Sequence, residues 1–268
     1  MHGKRILSSI VFVPLLILLI LYGGVQGFWL VVSLAVVLGT YEFYHMVERR
    51  QLTCYKIPGM VLSWIVSCSF LFQDVLGISF TLTIVSILIV LYALFARHPL
   101  STSIVSVATT FFGIVYVSWL LSHLVLIRGL GESEGKGLIF YLLLVIWAGD
   151  TGAFYIGSYL GRHKLAPIVS PKKTLEGAVG GLGASVLASL GIKGWMLPFL
   201  SYKHAWILGG LLAVMGQLGD LGESLFKRDA NLKDSGTVIP GHGGILDRLD
   251  SLLFSAPVLY YYVVGFVL

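Results

Sequence analysis

ISFTLTIVSILIVLYALFA, from Ile78 to Ala96, runs nineteen residues without a charge. A helix of about 20 apolar residues crosses roughly 30 Å of hydrocarbon, so this run reads as a membrane span. Outward from it the pattern recurs, giving spans near 6–22, 28–47, 58–73, 78–96, 104–127, 138–160, 175–192, 205–226 and 246–268. The chain is 57% hydrophobic and only 12% charged, whereas a soluble domain carries about 25% charge. Strand-like alternation is missing, and backbone groups inside lipid must be satisfied within their own segment. The expected fold is all-α: a polytopic membrane protein with about nine transmembrane helices and a cytoplasmic N-terminus. A single membrane domain, 1–268, accounts for the chain, with a mainly apolar scaffold over 1–137 and a catalytic half with the polar motifs over 138–268.

Charge sets the orientation. With the spans alternating, fourteen of the 18 lysines and arginines fall on one side. Arg128, Lys136, Lys193 and Lys203 fall on the other. The basic side is expected to be cytoplasmic. Lys4 and Arg5 before the first run fit a signal peptide, but the run is long and YGGVQG (22–27) offers no clear cleavage site, so a retained helix is expected. Pro14 and Pro257 are candidate kinks in the first and last spans. The net charge of +5 reads as this topogenic signal and as attraction to anionic lipids, about 1 kcal/mol per basic residue near the surface. No nucleic-acid motif, internal repeat or second soluble domain is visible, so no nucleic-acid partner is expected. Cys54 and Cys68 lack metal-ligand spacing and read as inert thiols. The compact chain suggests a prokaryotic cell inner membrane.

Three polar constellations fall on the expected cytoplasmic side. The first is WAGDTGAFYIGSYLGRHKLAPIVSPKKTLEGAVGG, Trp147–Gly181. Asp150 inside an apolar segment marks a functional position or a structural pair with a lysine. Ser170, Pro171, Lys172, Lys173 and Thr174 suit a helix entry capped by Thr174. Lysines there, beside unpaired backbone N–H groups, make a phosphate site or a topogenic pair. Glu176 reads as a local partner of Lys173. Gly177, Gly180, Gly181 and Ala184 form a small-residue face for a tight helix contact.

The second is GQLGDLGESLFKR, Gly216–Arg228. Asp220, Glu223, Ser224 and Lys227 share one helix face at i, i+3, i+4 and i+7. Such carboxylates could hold a hard cation such as Mg²⁺; the alternatives are a proton or sodium relay, or an ion-pair ladder. The third, KRDANLKDSGTVIPGHGGILDRLD (Lys227–Asp250), puts Gly241, Gly243 and Gly244 where the backbone could approach a ligand or take positive φ. Asp247 and Asp250 follow at the start of the last apolar helix. His242 is either a base or phosphate donor, or a hydrogen-bonded loop residue. Two acidic helix faces flanking a basic, glycine-rich loop are the parts that phosphoryl-type transfer needs.

SLFKRDANLKDSGTVIPGHGGILDRLD, Ser224–Asp250, resembles the signature of the phosphatidate cytidylyltransferases, the CDP-diacylglycerol synthases. Every fixed position of that pattern is met, and GDTGAFYIG and SPKKTLEG resemble the family's upstream motifs. The specific resemblance covers roughly residues 147–250. It implies condensation of CTP with phosphatidate to CDP-diacylglycerol and pyrophosphate in phospholipid biosynthesis. It also implies Mg²⁺ dependence, with K⁺ a candidate second cation and Asp220 and Asp247 associated with the cation centre. On both readings the phosphatidate phosphate attacks the α-phosphorus of CTP. Asp220, Asp247, Lys227, Arg248 and His242 are the catalytic candidates. Ser170, Lys172, Lys173, Ser224, Arg228 and Lys233 are the substrate-binding candidates, and Asp150, Glu223 and Asp250 join the aspartates as metal candidates. A homodimer is left open. A cation-coupled transporter would need matching breaks in two hydrophobic halves, yet the polar sites cluster in one half. A lipid kinase would release nucleoside diphosphate, and a purely structural scaffold has no use for the polar pattern.

Overall fold

The computed structural model describes residues 13–72, 74–96, 99–236 and 243–268. Among them are nine helices: α1 (Val13–Tyr22), α2 (Gly24–Arg49), α3 (Lys56–Leu71), α4 (Val75–Phe95), α5 (Leu100–Gly129), α6 (Glu132–Leu160), α7 (Leu175–Met196), α8 (Tyr202–Asp229) and α9 (Leu246–Phe266). They follow the expected spans one for one. Seven are long and apolar enough to cross a membrane. The other two are shorter over the described residues. The described part of α1 has ten residues, and α3, with 16 residues, is only about 24 Å long at 1.5 Å per residue. The surface also fits a multi-pass membrane protein. Helix α4 buries only Ile78, Val85 and Ile89, while Leu76 and Phe95 are more than four-fifths exposed. Apolar exposure on that scale is tolerated in lipid and not in water.

One small sheet accompanies the helices. Strands β1 (Lys164–Ala166) and β2 (Ser170–Thr174) form a two-stranded antiparallel hairpin, with Lys164 opposite Thr174 and Ala166 opposite Ser170. Lys172 and Lys173 therefore lie on a strand rather than in a helix entry. The cap was read correctly: Thr174 Oγ1 accepts from the Gly177 N–H at 3.2 Å and starts α7.

The chain folds as two compact units, Met1–Gly129 with Phe226–Arg248, and Leu130–Leu225 with Leu249–Leu268. In the first, α2 is tied to α3 by Trp29 Nε1 donating to Ser67 O at 3.0 Å and Thr40 Oγ1 donating to Ser63 Oγ at 3.2 Å. Helix α5 passes through a π-helical stretch, Ile114–Trp119, in which Ser118 Oγ donates to Ser63 O at 2.6 Å. Phe43, Phe112, Tyr116 and Phe226 make an aromatic cluster with centroids 5.2–5.9 Å apart. It anchors the last turns of α8, next to Lys227.

In the second unit α6 and α7 pack backbone to backbone. A Cβ on Gly152 would lie 2.5 Å from Ala184 Cβ, and one on Gly181 would lie 2.9 Å from Gly149 O. This is the small-residue face expected from Gly177, Gly180, Gly181 and Ala184. In lipid, where no hydrophobic force drives helices together, such close packing and interhelical hydrogen bonds do the work. Ser185 Oγ donates to Val145 O at 3.0 Å, and Tyr141 OH pairs with Ser189 Oγ at 2.6 Å. Cys54 and Cys68 are free thiols.

Candidate active site

The candidate residues gather in two clusters, one in each unit. In the first, α8 ends because Asn231 takes a left-handed conformation, φ 55°. Leu232 N–H then donates to Lys227 O at 2.8 Å, closing the helix. Lys227 sits on this last turn and donates to Asp247 Oδ1 at 2.6 Å, both side chains being 11% exposed. Asp247 Oδ2 accepts from Ser235 N–H at 2.9 Å, Ser235 Oγ at 3.1 Å and Gly244 N–H at 2.8 Å. Gly243 has φ +80°, and a Cβ there would lie 2.8 Å from Asp247 Oδ2. The expected positive φ is thus present. The close approach made by Gly244 is to a side chain of this protein: a Cβ there would meet Ser235 Oγ and the carboxylate of Glu42.

Glu42 lies in α2 and is 1% exposed. Its Oε1 accepts from Ile245 N–H at 2.9 Å. Its Oε2 accepts from Leu246 N–H at 3.0 Å and Ser235 Oγ at 2.9 Å. Ile245 precedes the first residue of α9 and has no side-chain acceptor, so Glu42 caps that helix from elsewhere in the chain. A carboxylate at a helix N-terminus is also favoured by the helix dipole.

In the second unit Lys173 Nζ lies 2.6 Å from Asp220 Oδ2, and Ser224 Oγ donates to Asp220 Oδ1 at 3.3 Å. Asp150 is close enough to feel the charges of both Asp220 and Lys173. It opens on a small cleft lined by Ile146, Gly149, Ser185, Leu212, Gly216 and Gln217 among others. The expected Glu176–Lys173 pair is replaced. Glu176 instead accepts from His163 Nδ1 at 2.6 Å and from the N–H groups of Arg162 and His163, because the hairpin folds the 162–163 backbone over the start of α7.

The remaining candidates are spread more widely. Lys172, Arg228, Lys233 and Arg248 are exposed, and Ser170 is half-buried. Arg228 Nη1 donates to Leu232 O at 3.1 Å. Glu223 is fully buried, and Asp250 Oδ1 accepts from Ser251 N–H at 2.6 Å. Gly241 and His242 lie outside the described residues, as do Lys4, Arg5 and Arg97.

A family model described as the cytidylyltransferase family matches residues 3–266. The chain belongs to the cytidylyltransferase family. A phosphatidate cytidylyltransferase of Synechocystis sp. is 37% identical over 98% of this chain and 97% of its own length. That of Bacillus subtilis is 33% identical over 96% of each. That of Staphylococcus saprophyticus is 35% identical over 95% of this chain and 94% of its own.

For a cytidylyltransferase the two clusters have a common chemistry. Each sets a lysine ammonium 2.6 Å from an aspartate, so each offers a phosphate ligand and a hard oxygen ligand side by side. Among the described residues no group of three or more His, Cys, Asp and Glu is arranged to hold a metal. Mg²⁺ keeps several waters and takes one or two carboxylates alongside phosphate oxygens. Asp150 and Asp220 are suited to this. Asp247 fits less freely, since three of its four bonds crowd Oδ2, leaving Oδ1 one lone pair beyond Lys227.

Reading the cytidylyltransferase sequence alone passed over two members of the first cluster, Glu42 and Ser235. The signal for Glu42 was there: it is a carboxylate inside an apolar span, the criterion that picked out Asp150. Ser235 carries no such mark.

Proposed function

We propose that this chain transfers a cytidylyl group from CTP to phosphatidate, leaving CDP-diacylglycerol in the membrane and releasing pyrophosphate. The observation that carries the proposal is the Lys227–Asp247 pair, held at 2.6 Å where the signature loop enters an apolar helix. A lysine and an aspartate side by side at the start of an apolar helix support a reaction between a nucleotide and a lipid. The names of the full-length relatives support the same substrates.

The phosphatidate phosphate is already ionised and can attack the α-phosphorus of CTP without a protein nucleophile. A P–O–P bond forms between a phosphatidate phosphate oxygen and the α-phosphorus of CTP, as the bond from that phosphorus to the bridging oxygen breaks and pyrophosphate leaves with the electron pair. Lys173 and Lys227 are proposed to turn from their aspartates to phosphate oxygens as substrate binds, with the exposed Lys172, Arg228, Lys233 and Arg248 drawing in the triphosphate. Cations so placed stabilise charge developing on the leaving oxygens. Asp150 and Asp220 in one unit, and Asp247 in the other, are proposed as oxygen ligands for cations, Mg²⁺ and, as a candidate second cation, K⁺. When bound, Mg²⁺ would neutralise triphosphate charge and sharpen the electrophilic phosphorus. Glu223 and Asp250 are proposed as further metal candidates, and His242 as a base or phosphate donor.

The proposed setting is the cytoplasmic face of the cell inner membrane, which the fourteen basic residues on one side support. Exposed Arg162, Lys164 and Lys172 on and beside the hairpin suit anionic headgroups. A homodimer is part of the proposal, to be read from the mass of the solubilised particle. The functional test uses purified protein in detergent with phosphatidate, CTP and Mg²⁺, following pyrophosphate and lipid product, with EDTA and ATP controls. Metal-dependent pyrophosphate together with CDP-diacylglycerol is expected. Nucleoside diphosphate release, or no product from folded protein supplied with native lipids and K⁺, would overturn the reading.

A further inference from the structure

We infer that Glu42 is a positioning residue for the reaction: through Ser235 and the N-terminus of α9 it fixes the direction in which Asp247 presents its carboxylate. The inference rests on the proposed function for its catalytic consequence, but its geometric core does not.

A carboxylate 1% exposed in an apolar helix is costly unless its lone pairs are filled. Among the described residues, the hydrogen bonds that Glu42 accepts come from the signature segment: Ser235 Oγ, Ile245 N–H and Leu246 N–H. The glycines of that segment are shaped to it, since a Cβ on Gly236 or Gly244 would strike the Glu42 carboxylate. Helix capping alone does not call for this arrangement. A serine or aspartate at position 245 would cap α9 locally, whereas the chain places Ile245 there.

The Ser235 hydroxyl links the two acids. Its oxygen is 2.9 Å from Glu42 Oε2 and 3.1 Å from Asp247 Oδ2. It has one proton to donate, so only one carboxylate takes it at a time. Meanwhile the Ser235 and Gly244 N–H groups hold Asp247 Oδ2, and Glu42 holds the same segment at Ser235 Oγ and just beyond Gly244. Oδ2 is thereby immobilised, and Oδ1 is left to face Lys227. Glu42 touches no reacting group. It acts by holding the backbone that aims Asp247.

The test uses the full chain in detergent with Glu42→Ala, Glu42→Gln, Ser235→Ala and the double variant Glu42→Ala/Ser235→Ala. Hydrogen exchange read by mass spectrometry is expected to rise in Glu42→Ala for peptides covering 243–250 and to stay unchanged over α6 and α7. The kcat for cytidylyl transfer is expected to fall about 10–100-fold, the scale seen when a group that orients a ligand is removed. KM for phosphatidate should stay within about threefold. Glu42→Gln keeps one acceptor oxygen and should recover part of kcat. The double variant should be no worse than the worse single variant, because both residues act through one segment. Unchanged exchange over 243–250, or additive losses in the double variant, would overturn the inference. So would exchange rising equally over α6 and α7, which would reduce Glu42 to general stability. If Glu42→Ala does not fold, the kcat and exchange of Glu42→Gln decide. If the wild type makes no CDP-diacylglycerol, the proposed function fails while the exchange measurement still decides whether Glu42 holds the loop.

Discussion

Removing the Lys227–Asp247 pair one partner at a time, and then together, separates its structural from its chemical role. Asp247→Asn keeps the shape of the side chain. Its remaining oxygen can still accept from Ser235 and Gly244, leaving an amide donor toward Lys227 Nζ. What is lost is one charge-assisted hydrogen bond of 2.6 Å between side chains only 11% exposed. Such a bond contributes about 1.5–3 kcal/mol, with little discount for solvent screening at this exposure. Lys227→Met loses the same bond from the other end. In the double variant it is lost once, so the coupling energy should equal that 1.5–3 kcal/mol. Reversible unfolding in mixed micelles measures all four proteins. Turnover should behave differently: each variant is expected to lose about 100-fold or more in kcat, and the double variant should not recover. A coupling energy below about 0.5 kcal/mol, within ordinary additivity, would refute the energetic reading. Near-normal turnover in Asp247→Asn at saturating Mg²⁺ would refute the chemical one.

Gly152→Val drives a branched side chain into Ala184, whose Cβ already lies 2.5 Å from where a Cβ on Gly152 would be. A loss of at least about 1–3 kcal/mol is expected, and an unchanged melting temperature would contradict the tight α6–α7 contact. Lys56→Ala breaks a 2.8 Å ion pair with Glu48 in which the side chains are 22% and 45% exposed. It should cost no more than about 1 kcal/mol and leave turnover near normal; a large loss of turnover would place the site more widely than proposed. Burial, helped by nearby Glu48, pushes the Cys54 thiol up to about 11. Folding therefore favours the neutral thiol. That contribution is complete below the usual thiol value and is lost as pH rises through about 11. Maleimide should label Cys54 slowly at neutral pH and faster as pH rises toward 11, and fast labelling of folded protein at pH 7 would contradict this.

Much of the architecture was legible because it is local. A run such as 78–96 declares a helix by length and hydropathy alone, and glycine and alanine at 177, 180, 181 and 184 declare a close helix contact by their spacing. The Thr174 cap follows from one residue and the helix after it. The hairpin was missed because its two strands, three and five residues long, carry no alternation to read. The functional residues were named from the signature, but their partners were not. Glu176 was matched to Lys173 by helical spacing, and the structure gives it to His163 instead.

The sequence by itself determined that this is a helical membrane protein, where its helices run, and that it belongs with the cytidylyltransferases. Hydropathy and motif are properties of neighbouring residues, and they survive in one dimension. Only the tertiary structure decided which acid meets which base. Lys173 found Asp220, Lys227 found Asp247, and Glu42 closed on Ile245 across 203 residues of chain. A charge or hydrogen bond is settled by which groups come within about 3 Å, and at such separations nothing along the chain records that distance.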